Sequence, residues 1–167
     1  CDKYGDTHYA DGIPLSCEFV DKIHPQLNAF YDALEEEFYG LNLHVIKQMD
    51  LNFYMNQGVL FLSSSLTTEI GSPGKHKRLW VPFIKYLIKN VFSPKMIPII
   101  FCGDAVHEQY AKVMEPIYPY FVIKQSLSDV SISVPWNTNN VFTRLNKYLW
   151  DKTDYDEVMW VNMDVPY

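Results

Sequence analysis

The chain has 167 residues, of which 48% are hydrophobic and 16% are aromatic, and this composition excludes a disordered protein. Its length fits one domain, and no apolar run approaches the roughly 20 residues that a membrane-spanning helix needs. The formal net charge of −6 argues against a protein that binds nucleic acid through its overall charge. A polyanionic partner would therefore require a local cluster of basic residues.

Helical and strand patterns alternate from the first third of the chain onward. Apolar residues at helical spacing predict a helix from about His24 to Gly40. The segment 41–57 mixes polar and apolar residues and predicts a second helix that ends near Gly58. Val59–Leu62 follows as a short continuous apolar run, which is typical of a strand buried on both faces.

The second half continues this alternation. Residues 76–90 predict a helix that carries on one side Leu79, Trp80, Phe83, Leu87 and Ile88. Later elements are predicted as a strand at Met96–Cys102, a helix at 105–114, a weaker strand at Tyr120–Lys124 and a helix at 141–150, before an irregular tail. Strands that alternate with helices indicate a parallel sheet covered on both faces. Ligands in such folds bind at the carboxyl edge of the sheet, where we expect the loops 63–75, 103–104 and 125–138.

Charge is unevenly distributed along the chain. Ile70–Met96 contains six basic residues and no acidic residue. Two interpretations stay open at this point. The basic residues form either a patch that faces a polyanion or an ordinary solvated helix face.

Other chemistry-bearing residues form no recognisable metal, thiol or nucleophile site. The three cysteines, Cys1, Cys17 and Cys102, form no paired framework, which favours reduced thiols and an intracellular protein, cytoplasmic or nuclear, that is not secreted. Asp6, His8 and Asp11 are better explained by turn chemistry than by a metal site. The five histidines are expected at the surface or at helix ends, and they are His8, His24, His44, His76 and His107.

Four stretches of the chain resemble segments of one known protein family. Cys1–Tyr4, CDKY, resembles G-Q-D-P-Y, and Ala10–Ser16, ADGIPLS, resembles A-H-G-L-C-F-S. Asp50–Thr67 resembles D-L-x-x-W-x-x-Q-G-V-L-L-L-N-x-x-L-T, and Ile99–Tyr110 resembles the stretch V-F-L-L-W-G-x-x-A-Q. The stretches span nearly the whole chain in the order that the family has. On these motifs the chain resembles the uracil-DNA glycosylases, specifically their family 1, in which G-Q-D-P-Y is the water-activating motif.

The resemblance implies a three-layer α/β/α fold around a central parallel four-stranded sheet. It also implies one domain over residues 1–167. In the family a central strand precedes the first motif, and residues for that strand are missing before Cys1. We therefore expect the native protein to be longer at its N-terminus.

The resemblance also implies a base pocket in which several family residues are replaced. These enzymes flip the target base out of the duplex before they break its glycosidic bond. Asp2 matches the water-activating carboxylate and Tyr4 matches the ring that excludes the thymine methyl group. Leu15 stands in place of the stacking Phe, Ser63 in place of the Asn that reads uracil, and Leu127 in place of the catalytic His. Neither Ser63 nor Leu127 supplies the hydrogen bonds of the residue it replaces.

DNA contacts are implied at loop serines and basic residues. These are Ser16, Lys75, Lys77, Arg78, Ser128 and Ser131. Asp104 stands where the family has a phosphate-contacting Ser, and its carboxylate would repel DNA. No cofactor and no metal is implied.

Two functions therefore remain open. The first is a DNA base-excision repair glycosylase that hydrolyses the N-glycosidic bond of uracil, or of a changed base, at a reduced rate. The second is a catalytically inactive glycosylase homologue that binds DNA or a replication or repair protein. Single- or double-stranded DNA with a flipped base is the expected partner, and no membrane is expected.

Overall fold

The computed structural model describes residues 12–16, 23, 25–38, 45–72, 74–114, 116, 118–123, 136 and 138–161. Five helices occur in these ranges: α1 (Pro25–Glu37), α2 (Asn52–Met55), α3 (Lys77–Leu87), α4 (Asp104–Tyr110) and α5 (Val141–Lys152). A π-helical turn at Ile88–Phe92 and a 3-10 turn at Ser93–Lys95 extend α3, and a 3-10 turn at Ala111–Val113 follows α4. No helix in these ranges is long and apolar enough to cross a membrane.

Two strands form a parallel pair in the described part of the chain. β1 (Ile99–Cys102) pairs with β2 (Tyr120–Ile123), with Ile99 opposite Tyr120 and Cys102 opposite Ile123. Because successive side chains of a strand point to opposite faces, Ile100 packs against one buried cluster and Phe101 against another. The predicted parallel sheet with apolar clusters on both faces is confirmed, whereas a four-stranded sheet is not seen in these ranges.

The larger cluster lies between α1, α5 and one face of the sheet, and aromatic rings dominate it. Phe30 is its hub, with ring centroids of five other aromatic residues 5.4–6.2 Å away. Those residues are Tyr31, Tyr54, Phe61, Trp136 and Phe142. A smaller cluster joins Ile84 and Ile88 to Phe101 and Tyr110 on the other face.

A carboxylate from α1 caps the start of α5. Glu37 Oε1 accepts a hydrogen bond from the backbone N–H of Thr143 at 2.7 Å, and Glu37 Oε2 accepts one from Thr138 Oγ1 at 3.0 Å. Asn140, which precedes α5, makes no side-chain cap of its own. Glu37 therefore supplies both a partner for a free N–H group and a negative charge at the positive end of the helix.

The C-terminal tail is held by side chains from distant parts of the chain. Gln57 exchanges two hydrogen bonds with the backbone of Met159, at 2.7 and 3.2 Å. Asn146 does the same with Val158, at 2.8 and 3.1 Å, and also accepts from the indole N–H of Trp160. The predicted tail is thus irregular in backbone over its described part, which ends at Val161, and that part is attached to the core by these side chains.

The prediction of a buried strand at Val59–Leu62 was wrong. The segment alternates instead: Val59 and Phe61 pack against the larger cluster, while Leu60 and Leu62 are 64% and 37% exposed. A strand needs a hydrogen-bonded neighbour, and no backbone hydrogen bond joins residues 60–62 to another described segment.

Two helix predictions were also wrong in part. The predicted helix over 41–57 is reduced to α2 among the described residues. Asp50 Oδ1 accepts the N–H of Asn52 at 2.9 Å, a local bond that competes with a preceding helical turn. In the segment 76–90, Leu79 and Phe83 are 72% and 41% exposed, so the predicted apolar side faces solvent there, whereas Ile88 of the same predicted side is buried in the smaller cluster.

Candidate base pocket and nucleic-acid interface

Ser63 lies at the end of the apolar segment, as predicted, but its hydroxyl is used locally. Ser63 Oγ donates to the carbonyl of Ser65 at 2.8 Å and accepts from the N–H of Ser65 at 3.3 Å. The side chain thereby closes a tight turn at the start of the loop. Its only hydrogen is engaged, so an incoming ligand meets at most a remaining lone pair on this oxygen.

Leu15 is held in an unusual backbone conformation. Its φ is 72°, in the left-handed region that a branched side chain rarely adopts, and the side chain packs against the larger aromatic cluster. Strain of this kind persists only where the surroundings enforce it, and it concentrates at ligand sites. The role of Leu15 in a base pocket stays a prediction.

Ser16, in contrast, is not placed to contact a phosphate. It is only 1% exposed, and its backbone N–H donates to the carbonyl of Ile13 at 3.2 Å. The hydroxyl therefore lies inside the fold, beneath the turn that carries Leu15, and a DNA backbone has no access to it in this structure.

The loop between Ser63 and α3 is organised by a network of polar side chains. The indole Nε1 of Trp80 donates to Thr67 Oγ1 at 2.9 Å, and the same oxygen lies 3.1 Å from His76 Nδ1. Glu69 forms an ion pair with Lys75 at 2.5 Å, and its other oxygen lies 3.8 Å from His76 Nε2. These contacts join the middle of the loop, at Thr67 and Glu69, to its end and to the first turn of α3.

The three predicted basic residues differ in their availability. Lys75 is engaged with Glu69, and its side chain is 56% exposed. Lys77 and Arg78 form no ion pair with any residue that the structure describes, and they occupy the first two positions of α3. Because a helix N-terminus carries positive potential, two cations there repel rather than stabilise, and an external anion would relieve that repulsion.

The carboxyl end of β1 leads directly into α4 through Gly103. Its φ of 109° suits glycine, and the buried backbone turns sharply there before Asp104. Asp104 is exposed at the start of α4, as expected for a residue at this edge of the sheet.

His107 departs from the expectation of a surface histidine. Its ring stacks on Tyr120 at 5.3 Å with an interplanar angle of 29°, and it lies 5.8 Å from the ring of Phe101. Its Nε2 is buried and has no hydrogen-bond partner among the residues that the structure describes. Single-sequence patterns carry no signal for this environment, because the stacking depends on the pairing of β1 with β2.

The remaining predicted site residues lie outside the described ranges: Asp2, Tyr4, Leu127, Ser128 and Ser131. A cavity of about 10 Å³ beside Tyr31, Val45 and Tyr54 has room for roughly one water molecule and includes none of the predicted site residues. Within the described residues, no cluster of His, Cys, Asp and Glu side chains is arranged to hold a metal ion.

Comparison of the sequence with known proteins gives a consistent set of relatives. No family model matches the chain. It is 27% identical over 150 residues to a uracil-DNA glycosylase of Borreliella burgdorferi, covering 88% of this chain and 62% of the relative. It is 33% identical over 95 residues to a uracil-DNA glycosylase of Campylobacter lari, covering 56% and 40%. The chain thus spans between 40% and 62% of the length of these two relatives.

Solved structures share the fold. A mimivirus UNG variant in complex with UGI matches with a TM-score of 0.69 at 20% identity, over 91% of this chain and 61% of that one. A mimivirus uracil-DNA glycosylase matches with a TM-score of 0.66 at 18% identity, over 91% and 60%. At such low identity the structures support the architecture alone.

Proposed function

We propose that the chain belongs to the uracil-DNA glycosylase superfamily and that it forms part of a DNA glycosylase with an altered base pocket. It would hydrolyse the N-glycosidic bond of uracil, or of a changed base, at a reduced rate. The observation that carries this proposal is the similarity to a curated uracil-DNA glycosylase over 88% of the chain.

The proposed reaction is a hydrolysis in which few groups take part. The bond between the base nitrogen and the sugar C1′ breaks, and its electron pair leaves with the base. A water oxygen forms the new bond to C1′, and Asp2 takes the proton of that water. This role of Asp2 comes from its match to the water-activating motif. A carboxylate beside the sugar also stabilises the positive charge that develops on it.

The geometry of Ser63 supports an altered pocket. An Asn at this position would offer a uracil edge one donor and one acceptor side by side. Ser63 instead donates its only hydrogen to the carbonyl of Ser65. Serine is smaller than asparagine, and its hydroxyl is hydrogen-bonded within its own loop. The pocket therefore has more room for a base and fewer groups that recognise uracil, which favours weak selection of uracil or acceptance of another base.

DNA binding is supported by the distribution of charge. Between Leu51 and Gly103 the chain has six Lys and Arg residues and a single acidic residue, Glu69. Glu69 is neutralised by Lys75, whereas Lys77 and Arg78 have no partner among the described residues. An acidic protein with such a basic segment is suited to bind a polyanion through one side.

A second function is favoured by the residue at position 127. Leu127, which matches the catalytic His of the family, cannot donate a hydrogen bond to the departing base. Losing such a donor typically costs about 10²–10³ in rate. Together with Ser63, this favours a homologue that binds DNA, or a replication or repair protein, without excising a base.

A base-release assay separates the two functions. The protein and its Asp2→Asn variant are mixed in excess with uracil-containing single- and double-stranded DNA at low salt, and free uracil is measured over time. The proposal expects slow release by the protein and none by the variant. Absence of release together with salt-sensitive DNA binding would contradict the glycosylase and establish the binding protein.

A further inference from the structure

Helix α3 is apolar on two sides, and one of these sides is exposed. Ile84 and the following Ile88 bury one side against the smaller cluster. Leu79, Phe83 and Tyr86 occupy the i, i+4 and i+7 positions that form a single stripe on a helix, and all three are exposed. A continuous apolar stripe that faces solvent usually marks an interaction surface.

Two lysines lie along one side of this stripe. Lys85 and Lys89 stand one turn apart, roughly a quarter turn around the helix axis from Phe83 and Tyr86. Neither lysine forms an ion pair with any residue that the structure describes. The stripe and the two lysines together are called the α3 face below. A partner of the α3 face needs apolar side chains and negative charge.

The tail after α5 carries a surface of the opposite charge. Its members are three exposed carboxylates and three exposed large apolar side chains, namely Trp150, Asp154, Tyr155, Asp156, Glu157 and Met159. The three carboxylates form no ion pair within the described part of the chain. These six residues are called the acidic patch. It offers the two properties that a partner of the α3 face needs.

The acidic patch lies beside the segment that extends α3. Tyr155 Oη donates to the carbonyl of Lys95 at 3.3 Å, and Lys95 ends the 3-10 turn that follows α3. The hydrogen bonds of Gln57 and Asn146 to the tail hold this patch in place. Because the two surfaces are neighbours, a two-fold axis between them would place the α3 face of one copy on the acidic patch of another, and the reverse.

We propose that a second copy of this chain is the partner, in a two-fold dimer in which each α3 face contacts the acidic patch of the other copy. Five of the six apolar side chains are aromatic or methionine, the types that are enriched in protein interfaces. Opposite charges around them would orient the two copies and speed their association.

A second copy accounts for both surfaces with one partner. A nucleic acid or a foreign acidic protein would match the α3 face but would leave the acidic patch without a partner. The inference is independent of the proposed hydrolysis of the glycosidic bond, since none of the residues in either surface belongs to the candidate base pocket.

Sedimentation velocity over a range of protein concentrations measures the dimer. The protein should dimerise at low salt and less tightly as salt rises, because salt screens the exposed charges. Leu79→Ser combined with Tyr86→Ser should weaken the dimer at least about tenfold, because both side chains belong to the apolar stripe. Glu36 is exposed on α1 outside both surfaces, so Glu36→Lys should leave the dimer unchanged.

Reversal of charge tests whether the two surfaces contact each other. Lys85→Glu with Lys89→Glu should leave a monomer at concentrations at which the unchanged protein is a dimer, and so should Asp156→Lys with Glu157→Lys. An equimolar mixture of these two variants should dimerise again, since each reversed surface then meets a surface of opposite charge. Melting temperatures equal to that of the unchanged protein show that the variants are folded.

Three results would overturn the proposed dimer: a protein that is monomeric at every concentration, a dimer that tolerates both charge reversals, and a mixture of the two variants that stays monomeric. Loss of DNA affinity without any change in oligomeric state, in Lys85→Glu with Lys89→Glu, would overturn it too and assign these lysines to nucleic acid. Uracil release is measured separately, so the failure of the dimer leaves the proposed function standing.

Discussion

Two residues of Asp50–Thr67, the longest stretch that resembles the glycosylases, support the fold directly. The hydroxyl of Tyr54 is buried and donates to the carbonyl of Trp160 at 3.0 Å, across 106 residues of sequence. Gln57 holds the adjacent residue, Met159, through both of its side-chain polar atoms. The part of the chain that most resembles a glycosylase therefore both attaches the tail and ends at the candidate pocket.

We predict that Tyr54→Phe destabilises the protein by about 1–2 kcal/mol, because the carbonyl of Trp160 loses its buried donor. Tyr86, which is 58% exposed, provides the control, and Tyr86→Phe should change the free energy of unfolding by less than about 0.5 kcal/mol. Urea titrations of both variants measure the difference. Equal stabilities for the two variants would show that the buried hydrogen bond contributes nothing.

At the level of single elements, α3 combines features that seldom stabilise a helix. It begins with two cations, has no side-chain cap and contains Pro82 in its interior. Proline lacks the N–H that would bond to the carbonyl of Arg78, and its ring crowds that carbonyl. Tertiary contacts of Ile84 and the following Ile88 with the smaller cluster keep the helix in place.

Pro82→Ala should raise the free energy of unfolding by about 1–2 kcal/mol, because the side chain is exposed and alanine restores the missing hydrogen bond. Pro94 is the matched control. It is also exposed but lies in the first turn of the short 3-10 segment, where proline is well tolerated. Pro94→Ala should therefore leave stability unchanged or slightly lower. Thermal melts measure both variants. A melting temperature that falls in Pro82→Ala, or rises in Pro94→Ala, would contradict the explanation.

Local patterns predicted α1, α5 and the paired strands β1 and β2 well, but failed for the helix over 41–57 and for the strand at Val59–Leu62. α1 and α5 lie within a few residues of their predicted limits, since apolar spacing and proline positions are local signals. Val59–Leu62 failed because a continuous apolar run does not reveal whether a neighbouring strand is available. The environment of His107 and the attachment of the tail could not be predicted either, because both depend on contacts between residues far apart in sequence.

At the scale of the whole molecule, aromatic rings fill the cluster between α1 and α5, and six of the 14 basic residues lie in or next to α3, between Lys75 and Lys95. One loop joins the Ser63 turn to the first turn of α3, so the candidate pocket and the candidate DNA contacts are adjacent along the chain.

Alkaline pH should destabilise the whole fold. Burial raises the pKa of Tyr31 to about 12, and burial also raises the pKa of Tyr54, Tyr118 and Tyr148 above the ordinary value of 10.0. Between about pH 10 and 12 the unfolded chain loses phenol protons that the folded chain retains, so the free energy of unfolding falls as pH rises. Each such tyrosine contributes up to about 1.4 kcal/mol per pH unit.

Urea titrations across this pH range measure the slope of the free energy of unfolding against pH. Tyr31→Phe should make this slope shallower by the contribution of one tyrosine. The level of stability will also fall in this variant, because Tyr31 donates to the carbonyl of Gln48 at 2.9 Å. The slope is therefore the informative quantity. A slope that is unchanged in Tyr31→Phe would contradict the assigned cause.

The most direct test of the proposed pocket is to restore the two groups that it lacks. Uracil release should be measured under single-turnover conditions for the protein and for the variant that combines Ser63→Asn with Leu127→His. If positions 63 and 127 line a glycosylase pocket, the variant regains an amide that reads uracil and a donor to the departing base, and the rate should rise by about 10²–10³. An unchanged rate in a folded variant that still binds DNA would contradict the pocket and favour a protein that uses this fold for binding alone.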